Sequence, residues 1–144
     1  MNFVSARGGK KHQRDIAKTT VCQMVAELLP KFRTLDIEVV FRTFNKKEGA
    51  VGFCAMQDDN RTFEIEVDRT MGINELVTTI CHEMVHVKQY ARNEMTDQCV
   101  QFGHATWKGR KVNPKTGYYQ LPWEKEAYRL QDSLALMVWK SGEL

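Results

Sequence analysis

The segment His82-Glu83-Met84-Val85-His86 sets two histidines four residues apart, with a glutamate directly after the first. In an α-helix, residues at that spacing lie one turn above each other on the same face. Two imidazoles so placed can close on one metal ion, and zinc accepts imidazole nitrogen while tolerating an open fourth position. Glu83 points about 100° round the helix from His82, which takes it out of the ligand set but leaves it within reach of a water on the ion. The pattern points to hydrolysis: the ion acidifies a water, Glu83 takes its proton as the water attacks a carbonyl, and the same carboxyl passes that proton to the leaving amine. The bland alternative is a packing helix that carries these residues without a metal. With only four histidines in the chain, a chance match to the pattern is on the order of one in a hundred.

A catalytic zinc of this kind needs a third protein ligand. Downstream, the run Pro122-Trp123-Glu124-Lys125-Glu126-Ala127-Tyr128 offers two carboxylates, and His104 offers an imidazole. On a helix, Glu124 and Glu126 are turned about 200° from each other, so only one of them can face the ion. Both flank the Trp123, Ala127 and Leu130 stripe, and the geometry leaves the choice open. His104 has an ordinary reading as a loop histidine. His12, in a basic segment, is not expected to ligate.

The elements that must position these residues follow from periodicity. Residues 12–29 carry a rough helical stripe that Pro30 stops. Leu35, Ile37, Val39 and Phe41 alternate as a strand does, residues 51–57 form a weaker strand, and Phe63, Ile65 and Val67 alternate with Glu64, Glu66 and Asp68. Short turns between them predict an antiparallel meander with one wet face. Ile73, Leu76, Val77, Ile80, Met84 and Val87 place the histidine pair on a helix over residues 73–94, with Asn74 as its expected N-cap. Residues 96–122 are irregular, with room for a short hairpin over 106–120, and Trp123 opens a last helix.

The two-histidine pattern followed by a glutamate on a later helix resembles the gluzincin clan of zinc peptidases. The short form, and the Pro-Trp-Glu-x-Glu-Ala-Tyr run at 122–128, are similar to minimal gluzincins of phage and bacterial type. The likeness covers roughly residues 35–135. It implies an α+β, zincin-like fold in which a three-stranded, largely antiparallel sheet packs against an N-terminal helix, an active-site helix and a C-terminal glutamate helix. It also implies Zn2+ as cofactor, a peptide or protein as substrate, and Glu126 as third ligand, because that residue precedes Ala127. Larger members carry an aspartate four residues beyond the glutamate to orient a zinc histidine; here that position is Leu130. A fainter similarity, in Gly103-His104-Ala105-Thr106-Trp107-Lys108, is to SprT-like proteases that act on DNA-bound proteins, and it would make His104 the third ligand. A metal-binding regulatory module without turnover is the remaining reading.

In zincin-type enzymes an edge strand pairs with the extended substrate, and the family's strand order makes residues 51–57 that edge. Gly52, Cys54 and Ala55 are small there, and Ala55→Pro would remove a backbone donor. Tyr118, Tyr119 and Tyr128 are candidates to donate to an oxyanion.

The bulk numbers set limits on these readings. The chain has 144 residues, enough for a single domain with a modest core. No apolar run would span a bilayer, and the N-terminus lacks a signal-type apolar segment, which suggests the cytoplasm (of the host, for a phage protein). Cys22, Cys54, Cys81 and Cys99 show no close pairing and are expected as free thiols, with Cys54 and Cys81 buried. A formal net charge of +3 is too small to argue for nucleic acid. Arg7, Lys10, Lys11, His12 and Arg14 lie beside Gly8-Gly9, where residues 1–11 are expected as a solvated, flexible tail.

Overall fold

The computed structural model describes residues 1–144. Four strands, β1 (Phe3–Arg7), β2 (Asp36–Arg42), β3 (Gly52–Met56) and β4 (Thr62–Asp68), form one mixed sheet in the order β1-β2-β4-β3. Three helices, α1 (Lys11–Leu28), α2 (Ile73–Ala91) and α3 (Pro122–Lys140), complete an α+β fold. No helix is long and apolar enough to cross a membrane.

The sheet differs from the expected meander in two ways. First, residues 3–7 are a strand, paired in parallel with β2 from Phe3↔Asp36 to Arg7↔Val40, so the expected tail is an edge of the sheet. α1 is the crossover that a parallel pair requires. The turn into it uses Gly8 and Gly9, both at positive φ (78° and 63°), and a Cβ on Gly8 would lie 2.5 Å from the Phe41 carbonyl oxygen. Arg14 donates to both glycine carbonyls, at 3.1 and 2.8 Å, and Arg7 pairs with Glu38 at 3.2 Å, so part of the basic cluster is spent on the turn and the sheet.

Second, β4 rather than β3 lies beside β2, in parallel, and β3 returns antiparallel on the outside. Burial explains the order. Phe63, Ile65 and Val67 of β4 are all within 2% of complete burial, whereas β3 buries only Cys54. The strand with the larger apolar face takes the interior, and the weaker one takes the edge.

One face of the sheet meets the helices and the other carries Glu38, Glu64 and Glu66. α2 packs against α1, α3, β3 and β4 and is buried almost all round from Ile80 to Ala91. Its N-cap is Gly72, with Asn74 inside the first turn instead of capping it. Between α2 and α3 a small hairpin, β5 (Thr106–Trp107) with β6 (Arg110–Lys111), turns at Lys108 and Gly109, both at positive φ as a two-residue hairpin loop demands. It is shorter than the expected 106–120. Pro122 stands at the first turn of α3, where its missing N–H costs nothing. Cys54 and Cys81 are buried free thiols; Cys22 and Cys99 are exposed.

Candidate metal centre

His82 and His86 face the same side of α2, and their rings meet edge to face with centroids 5.0 Å apart. Into the space before them α3 projects Glu124. Its Oε1 lies 3.0 Å from His82 Nε2 and 3.2 Å from His86 Nε2. The three donor atoms all lie within 4.8 Å of one another, and the group could hold a metal ion. Two ligands of one zinc, each about 2.0–2.1 Å from it, stand at most about 4 Å apart, so the two nitrogen–oxygen distances fall within reach of a shared ion. Two imidazoles and one carboxylate are also the donor types that zinc takes.

Glu126 is not part of this group. Two residues further along α3, and turned away from Glu124, it accepts from Lys88 Nζ and Gln89 Nε2, both at 3.0 Å. The expectation that placed it third in the ligand set rested on its position before Ala127, and the packing of α3 on α2 brings Glu124 to the histidines instead. His104 is exposed in the loop and stands outside the group.

Each imidazole is held from behind. His82 Nδ1 lies 2.8 Å from Gln131 Oε1, and His86 Nδ1 lies 2.8 Å from Gln89 Oε1. An amide oxygen can only accept, so each contact puts a proton on Nδ1 and leaves Nε2 facing Glu124, where it donates to the carboxylate when protonated and can bind a cation in place of that proton. These two glutamines were missed by sequence reasoning. Gln131 was findable once Glu124 was chosen, since seven residues are two turns and return to the same face. The position four beyond Glu124 is Tyr128, whose ring sits edge-on to His82 with centroids 4.5 Å apart.

Searches of protein-family models, curated proteins and solved structures return no match. The functional reading therefore stands on these residues.

Four titratable side chains are buried together: His82 at 7% exposure, Glu83 at 6%, His86 at 2% and Glu124 at 3%. Without a metal they compensate one another. Burial opposes a charge on His86, but the hydrogen bond to Glu124 and the charges of Glu83 and Glu124 outweigh it and push the imidazole up to about 9. Burial likewise raises Glu124, yet hydrogen bonds from His82 and His86 drive it down to about 2. Glu83 is pushed up, chiefly by burial, with the two histidine charges opposing.

His82 and Glu83 open onto a cleft of about 800 Å3. One wall is the segment from Phe44 to Gly52; the other carries Tyr118, Tyr119, Tyr128 and Gln131. Tyr118 and Tyr128 place their hydroxyls 3.3 Å apart, and Tyr119 meets the Tyr118 ring edge-on and the Tyr128 ring at a tilt. Gly52 sits where the cleft meets α2: a Cβ there would stand 2.6 Å from Thr79 Cγ2 and 3.3 Å from Glu83 Oε1. Its smallness serves the approach of α2 to the sheet.

Proposed function

We propose that the chain is a zinc-dependent peptidase whose metal is held by His82, His86 and Glu124 and whose general base is Glu83. The observation that carries this is the convergence of both Nε2 atoms on one Glu124 oxygen, 3.0 and 3.2 Å away, next to a second buried carboxyl that opens onto the cleft. Burying four ionisable groups in so small a domain costs stability that apolar side chains of similar size would not. A purely structural helix has no use for that expense.

A bound zinc ion supplies Lewis acidity, which brings a water's pKa near 7 and polarises a substrate carbonyl. The chain supplies the rest. Glu83 takes the proton of the attacking water and delivers it to the leaving amine. Gln131 and Gln89 back the two imidazoles on the Nδ1 side. Tyr118, Tyr119 and Tyr128 line the wall from which a hydroxyl can donate to a developing oxyanion. An extended peptide fits beside the β3 edge, where backbone hydrogen bonds hold it with little sequence preference.

The test is hydrolysis of an unfolded protein substrate by zinc-loaded wild type and Glu83→Gln. The substitution is expected to abolish turnover while leaving bound zinc in place. Equal activity in both would remove Glu83 from the chemistry, and zinc binding without hydrolysis in the wild type would favour a regulatory module.

A further inference from the structure

We infer that Glu126 is a positioning residue that fixes the tautomer of His86 through Gln89, an inference that deepens the metal reading above and rests on it. Gln89 is completely buried. Its Nε2 donates to the Trp123 carbonyl at 3.1 Å and to Glu126 Oε1 at 3.0 Å. Both partners are acceptors, so turning the amide over would set its oxygen against two oxygens with no water to relieve them. The amide is therefore held with Oε1 towards His86 Nδ1, 2.8 Å away. That nitrogen must donate, and Nε2, which faces Glu124 at 3.2 Å, is left to bind a cation.

Glu126 is itself clamped. Lys88 donates to it at 3.0 Å and pairs at 2.8 Å with Glu94, just beyond the end of α2. The chain Lys88–Glu126–Gln89–His86 thus runs from α2 to α3 and back. Without Glu126, a single carbonyl would pin one N–H of the amide. The amide could then flip, donate to Nδ1, and move the ring proton to the metal side.

His82 provides an internal contrast. Its acceptor, Gln131, lines the open cleft, and no hydrogen bond holds the Gln131 amide nitrogen. Glu124 and Glu126 act at different removes: Glu124 touches both imidazoles, and Glu126 governs one of them through an amide.

The experiment measures zinc affinity by competition with a chelating indicator for wild type, Glu126→Ala and Glu126→Gln. In the metal-free proteins, hydrogen exchange of the His86 Nδ1–H is followed by nitrogen-resolved NMR. Glu126→Ala is expected to weaken zinc binding about 10- to 100-fold and to speed that exchange. Glu126→Gln keeps an acceptor oxygen and should restore both to near wild type, which loss of charge alone would not. Wild-type zinc affinity together with unchanged exchange in Glu126→Ala overturns the inference. So does zinc-loaded wild type with the His86 proton on Nε2, which decides the matter even if the alanine variant does not fold. A wild type that takes up no zinc, yet loses Nδ1–H protection in Glu126→Ala, removes the metal reading and leaves the positioning chain standing.

Discussion

Glu124, on α3, reaches to 3.0 Å from His82 Nε2 on α2, so the group that could hold a metal ion closes only when these two helices are packed. Neither helix alone makes the site. Glu124→Gln removes the charge that balances two imidazoles and a cation, and should lower zinc content after dialysis to a small fraction of wild type. Glu126→Gln and His104→Ala should retain it, since neither residue belongs to the converging group. Metal analysis of the three variants side by side checks this. Loss in Glu126→Gln with retention in Glu124→Gln would show that α3 presents a different face.

Gly52 and Thr79 interlock on the floor of the cleft. A methyl group at residue 52 would stand 2.6 Å from Thr79 Cγ2, far inside contact distance, and a β-branched side chain on a helix has little rotamer freedom with which to yield. Gly52→Ala should lower the urea midpoint by the equivalent of about 1–3 kcal/mol. Adding Thr79→Ser removes Cγ2 and should restore most of the loss, a coupling that a double-mutant cycle measures. Additive effects would mean that the clash is taken up elsewhere.

The thiols separate into two classes. Burial pushes Cys81 up to about 12 and Cys54 well above the ordinary thiol range, so at pH 8 both are protonated as well as inaccessible. Cys22 and Cys99 are exposed, and each is also raised, Cys22 chiefly because neighbouring atoms desolvate its sulfur in part, with the Glu143 charge adding to it, and Cys99 chiefly by the charge of Asp97. A raised thiol pKa means less thiolate at a given pH, hence slower attack on a disulfide reagent. Titration of native protein at pH 8 should therefore report two thiols, reacting more slowly than a free cysteine. Unfolding in denaturant should expose all four. Four fast thiols in the native protein would contradict the packing of β3 and α2.

The helix that carries the histidines was legible because Leu76, Val77, Ile80, Met84 and Val87, all buried, repeat at its period, and an i, i+4 pair on such a helix leaves little choice of geometry. β1 was not. It has five residues, only Val4 and Ala6 face inward, and its pairing with β2 is made across an intervening helix that local pattern cannot show. The order β2-β4-β3 was equally hidden, since short turns suggest neighbours while burial decides them. The choice of Glu124 over Glu126 depends on how α3 sits against α2, a long-range packing result. Gln89 and Gln131 were silent because a neutral amide carries no signature until its partner is in place.

The alternation of the β3–β4 ladder decides which backbone groups a substrate can use. Asp68 N–H bonds the Val51 carbonyl and Gln57 N–H bonds the Thr62 carbonyl, both at 2.9 Å, in the register that pairs Phe53 with Glu66 and Ala55 with Glu64. Antiparallel pairs alternate between bonded and unbonded, so Phe53 and Ala55 turn their N–H groups into the sheet. Gly52, Cys54 and Met56 turn theirs outward, and the Cys54 carbonyl already accepts from Gln98 Nε2 at 3.2 Å. Ala55→Pro, the substitution suggested by sequence, therefore breaks the ladder and removes no donor from the outer edge where the proposed substrate would pair. It should lower stability by about 1–3 kcal/mol, the cost of leaving a buried partner unmet. Met56→Pro removes an outward donor, should leave the urea midpoint close to wild type, and should raise KM for an extended peptide. Equal stability loss in both variants, or a KM change in neither, would show that the substrate is not held along this edge.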